Sequence, residues 1–164
     1  MSKPKDEKTN VMRVLEQKKI PYTPHSYPHA GNEPVDGVTA AHSLGIDPAR
    51  VFKTLVTVAG SGAHYVFMIP VEQELDLKKA AKAVGEKSIA MIKQKELLPL
   101  TGYIHGGCSP IGMKKPFPTF IHSSAETLDT IMFSAGKIGY QVECSLSDLR
   151  RAVAVQSADV VVEK

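Results

Sequence analysis

A lysine stands in the middle of an apolar run, Val51-Phe52-Lys53-Thr54-Leu55-Val56, and poses the first chemical question in this sequence. The β-branched and apolar neighbours make the run a strand, and alternation puts Lys53 on the face of Val51 and Leu55. An ammonium there can snorkel to water at a sheet edge and discourage aggregation, or it can meet an anion. Residue types alone leave both open.

Two glycine loops come next. Gly106-Gly107-Cys108-Ser109-Pro110-Ile111-Gly112 carries adjacent glycines. Their bare backbone would let N–H groups close on an acyl oxygen, although a tight surface turn uses the same residues. Ser134-Ala135-Gly136-Lys137-Ile138-Gly139 contains GxxG, the clamp of KH RNA-binding domains. KH context needs helices on both sides, and this loop has strand-like flanks. Its lysine precedes the second glycine, so it is not a Walker A loop. A small-residue loop with Lys137 facing a phosphate or ribose fits it better.

Protein nucleophiles are poorly supported. Ser109 misses the GxSxG elbow because Ile111 fills the second glycine position and Pro110 follows the serine. Cys108 has only His105, three residues back, as a nearby base, and a small buried hydrophobe is its plainer role. His25 and His29 are spaced H-x3-H in a proline-rich stretch, with no cysteine or carboxylate to complete a set, so no metal site is expected. Tyr27, between them, suits a pocket wall or the core. Lys78 and Lys82 share a helix face with Lys79 beside them, which reads as a solvated stripe. With Lys87, Lys93, Lys95, Lys114 and Lys115 it could extend into a diffuse phosphate-facing surface.

The elements that must position these residues belong to one domain. A chain of 164 residues with 43% apolar and 23% charged side chains can close its own core. Cys108 and Cys144 lie far apart and match no CxxC or zinc-knuckle spacing; nothing in the sequence calls for a disulfide between them, so the default is a reducing cytoplasm. No apolar run is long enough to span a bilayer. Residues 1–8 are polar and mixed in charge and read as a disordered tail before a domain over 9–164. The net charge of +3 is mildly basic, compatible with a polyanionic partner without requiring one.

Thr9 or Asn10 caps a first helix running to about Lys19, and Pro21 to Pro34 alternates extended chain with loop. A helix over Val38–Leu44 stops at Gly45. A hairpin follows, Val51–Val58 and His64–Ile69 about Gly60-Ser61-Gly62. Asp76 caps a helix over Leu77–Val84, closed by Gly85, and an uncapped helix over Lys93–Leu98 ends at Pro99. Strands are expected at Thr119–His122, Thr130–Phe133 and Ile138–Cys144, then a helix over Ser147–Arg151 and a strand over Ala152–Val155. No βαβ rhythm runs through this order, so the fold class is α+β, with a mixed, curved, barrel-like sheet flanked by helices.

Five segments occur in an order that resembles the YbaK/EbsC family. They are Phe52-Lys53-Thr54-Leu55, Leu75-Asp76-Leu77-Lys78-Lys79-Ala80-Ala81-Lys82, Thr101-Gly102-Tyr103, Gly106 to Gly112, and Ser134-Ala135-Gly136-Lys137. The resemblance covers roughly Val11 to Asp159. It implies a free-standing relative of the editing domain of bacterial prolyl-tRNA synthetase, a deacylase of mischarged tRNA without metal or cofactor. The form of the Gly106 loop points to the branch acting on cysteinyl-tRNA, chiefly Cys-tRNA(Pro). There the substrate's own thiol is thought to attack its acyl carbon.

On that resemblance Lys53 is the catalytic residue, holding the terminal ribose or phosphate and the amino acid. Gly106 and Gly107 would present backbone to the acyl group. Thr54, Ser134 and Gly136 would contact substrate, and Tyr27 would wall the pocket. The expected partners are the aminoacylated 3′ end of tRNA and, transiently, a prolyl-tRNA synthetase. Gln141 stands where the family often has an aspartate, with Glu143 on the same strand face as a possible substitute. The alternatives are a water-using Ala-tRNA(Pro) deacylase and a non-catalytic RNA- or nucleotide-binding module.

Overall fold

The computed structural model describes residues 8–28 and 35–163. Thr9 accepts a hydrogen bond from the Met12 N–H at 3.2 Å and so caps α1 (Asn10–Gln17), which buries Val11, Met12 and Leu15. The first turn needs that cap because its N–H groups have no partner within the helix. The expected tail lies outside the described residues except for Lys8, whose ammonium meets Glu16 at 2.8 Å. The proline-rich segment yields a short strand, β1 (Thr23–Ser26). Asp36 caps α2 (Gly37–Leu44), and Gly45 ends it in the left-handed conformation at φ 69°.

The expected hairpin is present as β2 (Phe52–Ala59) and β3 (His64–Pro70), antiparallel with Lys53 opposite Ile69. Asp76 accepts from the N–H groups of Lys78 and Lys79 to start α3 (Leu77–Val84), and Gly85 closes it. A short strand not anticipated from sequence, β4 (Ile89–Met91), then pairs with the far end of β2.

Pro99 does not end the next helix. α4 runs over Gln94–Thr101 and continues through the proline to Gly102 at φ 88°. The missing N–H removes one helical bond, but the last turn is held by Gly102 N–H to the Leu98 carbonyl and by the Thr101 hydroxyl to the Leu97 carbonyl, both 2.8 Å.

The remaining elements are β5 (Thr119–His122), β6 (Ile131–Ser134), β7 (Tyr140–Cys144), α5 (Leu146–Ala152) and β8 (Val155–Ala158). The last strand thus begins where sequence patterning expected it to stop, because Ala152 still belongs to the Ser145-capped helix. Five strands form one sheet in the order β4-β2-β3-β5-β8, and three form another, β1-β7-β6. β5 runs parallel to both β3 and β8, while the other pairings within the sheets are antiparallel. A parallel bridge between Val51 and Met132 joins the sheets. The result is the expected mixed α+β domain, its sheet curled like a barrel but not closed.

The largest core cluster fills the curl, with Phe52, Val56, Met68, Phe133, Val142 and Leu149 at its centre. A second packs α3 against Phe67, Ile69 and Phe120. A third, smaller one seats α2 on Val51 and Met132. Among the described residues no helix is long and apolar enough to cross a membrane.

Candidate active site

A cavity of about 510 Å³ opens beside the junction of the two sheets, lined by β2, the end of β6, β7, the start of α2 and the first glycine loop. Its size is within the range for a small-molecule site. Five of the seven residues singled out from sequence line it: Tyr27, Lys53, Thr54, Gly106 and Ser134.

β2 is second in the five-stranded sheet, but β4 pairs with it only over Thr57–Ala59, so at Lys53 the strand has β3 as its one partner in that sheet, and this half borders the cavity. Burial lowers the Lys53 pKa, and the charge of Glu74 opposes that shift. A half-buried ammonium facing a cavity is a ready partner for a phosphate, a ribose oxygen or a carbonyl.

Thr54 faces the other way along β2, between Phe52 and Val56 of the main core. Its Oγ1 is buried, lines the cavity and has no hydrogen-bond partner. Ser134, the last residue of β6, sits opposite Gln141 of β7. Its hydroxyl accepts from the Gly136 N–H at 3.0 Å, leaving its own hydrogen to donate. Tyr27 is 5% exposed and follows β1, where its N–H donates to the Gly139 carbonyl at 2.9 Å. That bond ties the tyrosine to the second glycine loop.

Gly107 and Gly136 are not among the lining residues; they back the cavity. A Cβ on Gly107 would stand 3.2 Å from the backbone nitrogen of Ile138, so the two glycine loops touch through this residue. Gly136 has φ 92°, and a Cβ there would press on Tyr103 at 3.0 Å and Val11 at 3.1 Å. Tyr103 in turn donates its hydroxyl to the Ile111 carbonyl at 2.5 Å, so one buried ring braces both loops.

Cys108 lines the cavity, but burial pushes its thiol up to about 12. It is a neutral thiol at physiological pH and a poor nucleophile. Cys144 is likewise buried and pushed up to about 12. Among the described residues no cluster of three metal-ligating side chains occurs. The His25 Nε2–H donates to the Glu143 carboxylate at 2.9 Å, while His29 lies outside the described residues.

Glu143 does not take the place of a pocket carboxylate. It is held by His25, by Thr130 at 2.5 Å and by Arg50 at 3.2 Å, and it is absent from the cavity wall. The Thr130 hydrogen bond above all lowers its pKa, with His25 and Arg50 adding to the shift against burial. Gln141 does line the cavity, is 8% exposed, and has an unpartnered buried Oε1. Its strand phase signals this: Val142 and Cys144 face the main core, so Gln141 faces away from it.

His105 and the first turn of α2 also line the cavity, and sequence reasoning did not anticipate them there. Gly37 allows α2 its seat, because a Cβ would collide with Val71 at 2.3 Å. The lysine stripe of α3 divides. Lys78 and Lys82 are exposed, whereas Lys79 meets Asp159 at 3.1 Å and the Val161 carbonyl at 2.9 Å, pinning the C-terminal segment.

A curled α+β domain thus gathers a lysine, unpartnered oxygens and two glycine loops around one cavity. The chain belongs to the aminoacyl-tRNA editing domain family, whose model matches residues 33–152. It is 44% identical over 158 residues, 96% of either chain, to EbsC of Enterococcus faecalis, a candidate Cys-tRNA(Pro)/Cys-tRNA(Cys) deacylase by name. It is 29% identical over 101 residues to a proline–tRNA ligase of Shouchella clausii, spanning 62% of this chain and only 18% of that protein. A solved structure described as a candidate trans-editing enzyme for prolyl-tRNA synthetase shares the fold, with TM-score 0.81 and 23% identity over 93% of this chain and 95% of the other. A scaffold used for epitope backbone grafting superposes as well, at TM-score 0.82 and 22% identity over 94% and 96%.

Proposed function

We propose that this protein is a trans-editing aminoacyl-tRNA deacylase that removes cysteine from mischarged tRNA, chiefly Cys-tRNA(Pro). The observation that carries the reading is the chemistry of the cavity wall: a cation and unpartnered polar oxygens, with the wall's thiol held neutral. Such a wall can position a substrate and stabilise charge, and it suits a reaction whose nucleophile arrives with the substrate. The 44% identity to EbsC over nearly the whole chain supports cysteine as the amino acid.

In this mechanism the cysteinyl thiol sulfur bonds to its own acyl carbon and the ester C–O bond breaks. The thiol proton ends on the departing ribose oxygen, and water later opens the four-membered thiolactone to free cysteine. Lys53 holds the terminal ribose or phosphate and orients the ester. Gly106 presents backbone to the acyl group, with Gly107 setting its approach. Ser134 and Thr54 anchor polar atoms, Gly136 sets the Ser134 turn, and Tyr27 walls the pocket.

A chain with net charge +3 holds tRNA weakly by itself. Its partial identity to a proline–tRNA ligase fits a reading in which a prolyl-tRNA synthetase selects the tRNA and passes it on. The reaction would then run in the cytoplasm, where tRNA is charged.

Release of radiolabelled cysteine from Cys-tRNA(Pro) tests the proposal, with Ala-tRNA(Pro) as second substrate. Wild type should release cysteine rapidly and spare alanine, and Lys53→Ala should lose about 100-fold in rate, the scale of removing one oriented electrostatic group. Cysteine release no faster than in buffer would sink the deacylase reading. Activity on alanine alone would move the protein to the water-using branch.

A further inference from the structure

Gln141 and Thr54 put two unpartnered oxygens in the wall of one cavity, and nothing in the roles assigned above consumes either of them fully. Gln141 is 8% exposed and its Oε1 is buried without a partner. Thr54 Oγ1 is in the same condition. A buried polar atom left unsatisfied costs stability, so two on one cavity wall point to a ligand group that satisfies them. We propose that Gln141 Oε1 and Thr54 Oγ1 form a subsite for the α-ammonium group of the aminoacyl substrate, which makes Gln141 a specificity-determining residue. This rests on the deacylase reading.

The donor count favours an ammonium. A carbonyl oxygen can only accept, so the group facing Gln141 Oε1 must donate. In an aminoacylated ribose the ester and ring oxygens accept, and a ribose hydroxyl donates once. An α-ammonium donates three times and can serve both oxygens together. It also lies one carbon from the acyl carbon, close to the atoms that Lys53 and Ser134 flank. Lys53 and Thr54 are successive residues of β2 and leave opposite faces of the strand, although both line this cavity.

Among the described residues one carboxylate, Asp36, lines the cavity; it is exposed, and its two oxygens cap α2 by accepting from the Thr39 N–H and the Thr39 hydroxyl at 2.9 Å each. Glu143 is held by Arg50, Thr130 and His25. The buried unpartnered acceptors of the wall are the neutral oxygens of Gln141 and Thr54. They select an amino group by its N–H bonds, and a substrate whose nitrogen is acylated has one N–H left and no charge.

The test is calorimetric binding of 3′-cysteinylamino-3′-deoxyadenosine, whose amide link resists deacylation, and of its N-acetyl form. Acetylation should weaken binding to wild type by about tenfold or more, the scale of hydrogen bonds to a charged donor. In Gln141→Leu the two ligands should bind within about threefold of each other, and Thr54→Val should narrow the ratio in the same direction. Gln141→Glu, which keeps an acceptor in place, should retain the discrimination. Both leucine and valine variants remove an unpartnered polar atom for an apolar one of similar shape, so they should melt no lower than wild type.

An acetylation penalty unchanged in Gln141→Leu, or absent in wild type, would overturn the subsite. Intact discrimination without cysteine release from Cys-tRNA(Pro) would overturn the deacylase reading while supporting the subsite. Failure of wild type to bind either nucleoside would overturn both.

Discussion

Lys53 keeps its charge in a place that disfavours it. Burial lowers its pKa, so the folded protein gives up this proton earlier than the unfolded chain. Stability therefore rises as pH climbs through the folded value, opposite to the behaviour of a lysine stabilised by a partner. Lys53→Met should melt higher than wild type at neutral pH while losing deacylation, and its thermal gain should shrink as pH is raised toward the lysine range. A lower melting temperature would mean that the ammonium is structural. Cys108 makes the complementary case. With its thiol pushed up to about 12, Cys108→Ala should retain activity within about threefold and cost about 1 kcal/mol from the small void it leaves. Loss of activity with normal stability would show that the thiol takes part.

The elements hold the cavity open by fastening its rim. β1 meets β7, β7 meets β6, and Arg50, from the turn before β2, reaches across to Thr130 and Glu143. Glu143 is the hub of this contact. Its depressed pKa means that its contribution is full above the ordinary glutamate value of 4.5 and is lost as pH falls through the lower folded value. Glu143→Gln should therefore lower the urea midpoint at neutral pH and flatten the acid side of the stability profile. An unchanged acid limb would assign the acid sensitivity to other carboxylates. Helix boundaries at this scale were legible wherever a cap was chemical: Asp76 with Gly85 and Thr9 with α1. They were not legible at Pro99, where a left-handed glycine and a threonine back-bond hold a turn that proline propensity argues against.

At the scale of the whole molecule, the matched family segment is smaller than the folding unit. Residues 33–152 leave out α1, β1 and β8. α1 contributes Val11 and Leu15, both fully buried, and β1 and β8 are edge strands whose loss would uncover β7 and β5. A fragment limited to those residues should lack a cooperative melting transition by circular dichroism. A sharp transition near that of the full chain would show that the flanking elements are dispensable. Tyr27 would also be lost from the cavity wall.

The sequence by itself determined the local structure and the roster of chemical residues. Alternation made β2 and β3 a hairpin, caps and glycines bounded α1, α2 and α3, and the failed GxSxG and histidine spacings argued against a serine hydrolase and a metal site. Only the tertiary structure decided which of these residues share a cavity. Lys53 became a pocket residue because its half of β2 lies beyond the reach of β4 and beside the junction of two sheets, a fact set by pairing between residues far apart in the chain. Gln141 and Glu143 lie on one strand face, two residues apart, yet only Gln141 lines the cavity. Arg50, Thr130 and His25 converge on Glu143 from separate elements, and no short-range pattern encodes that convergence.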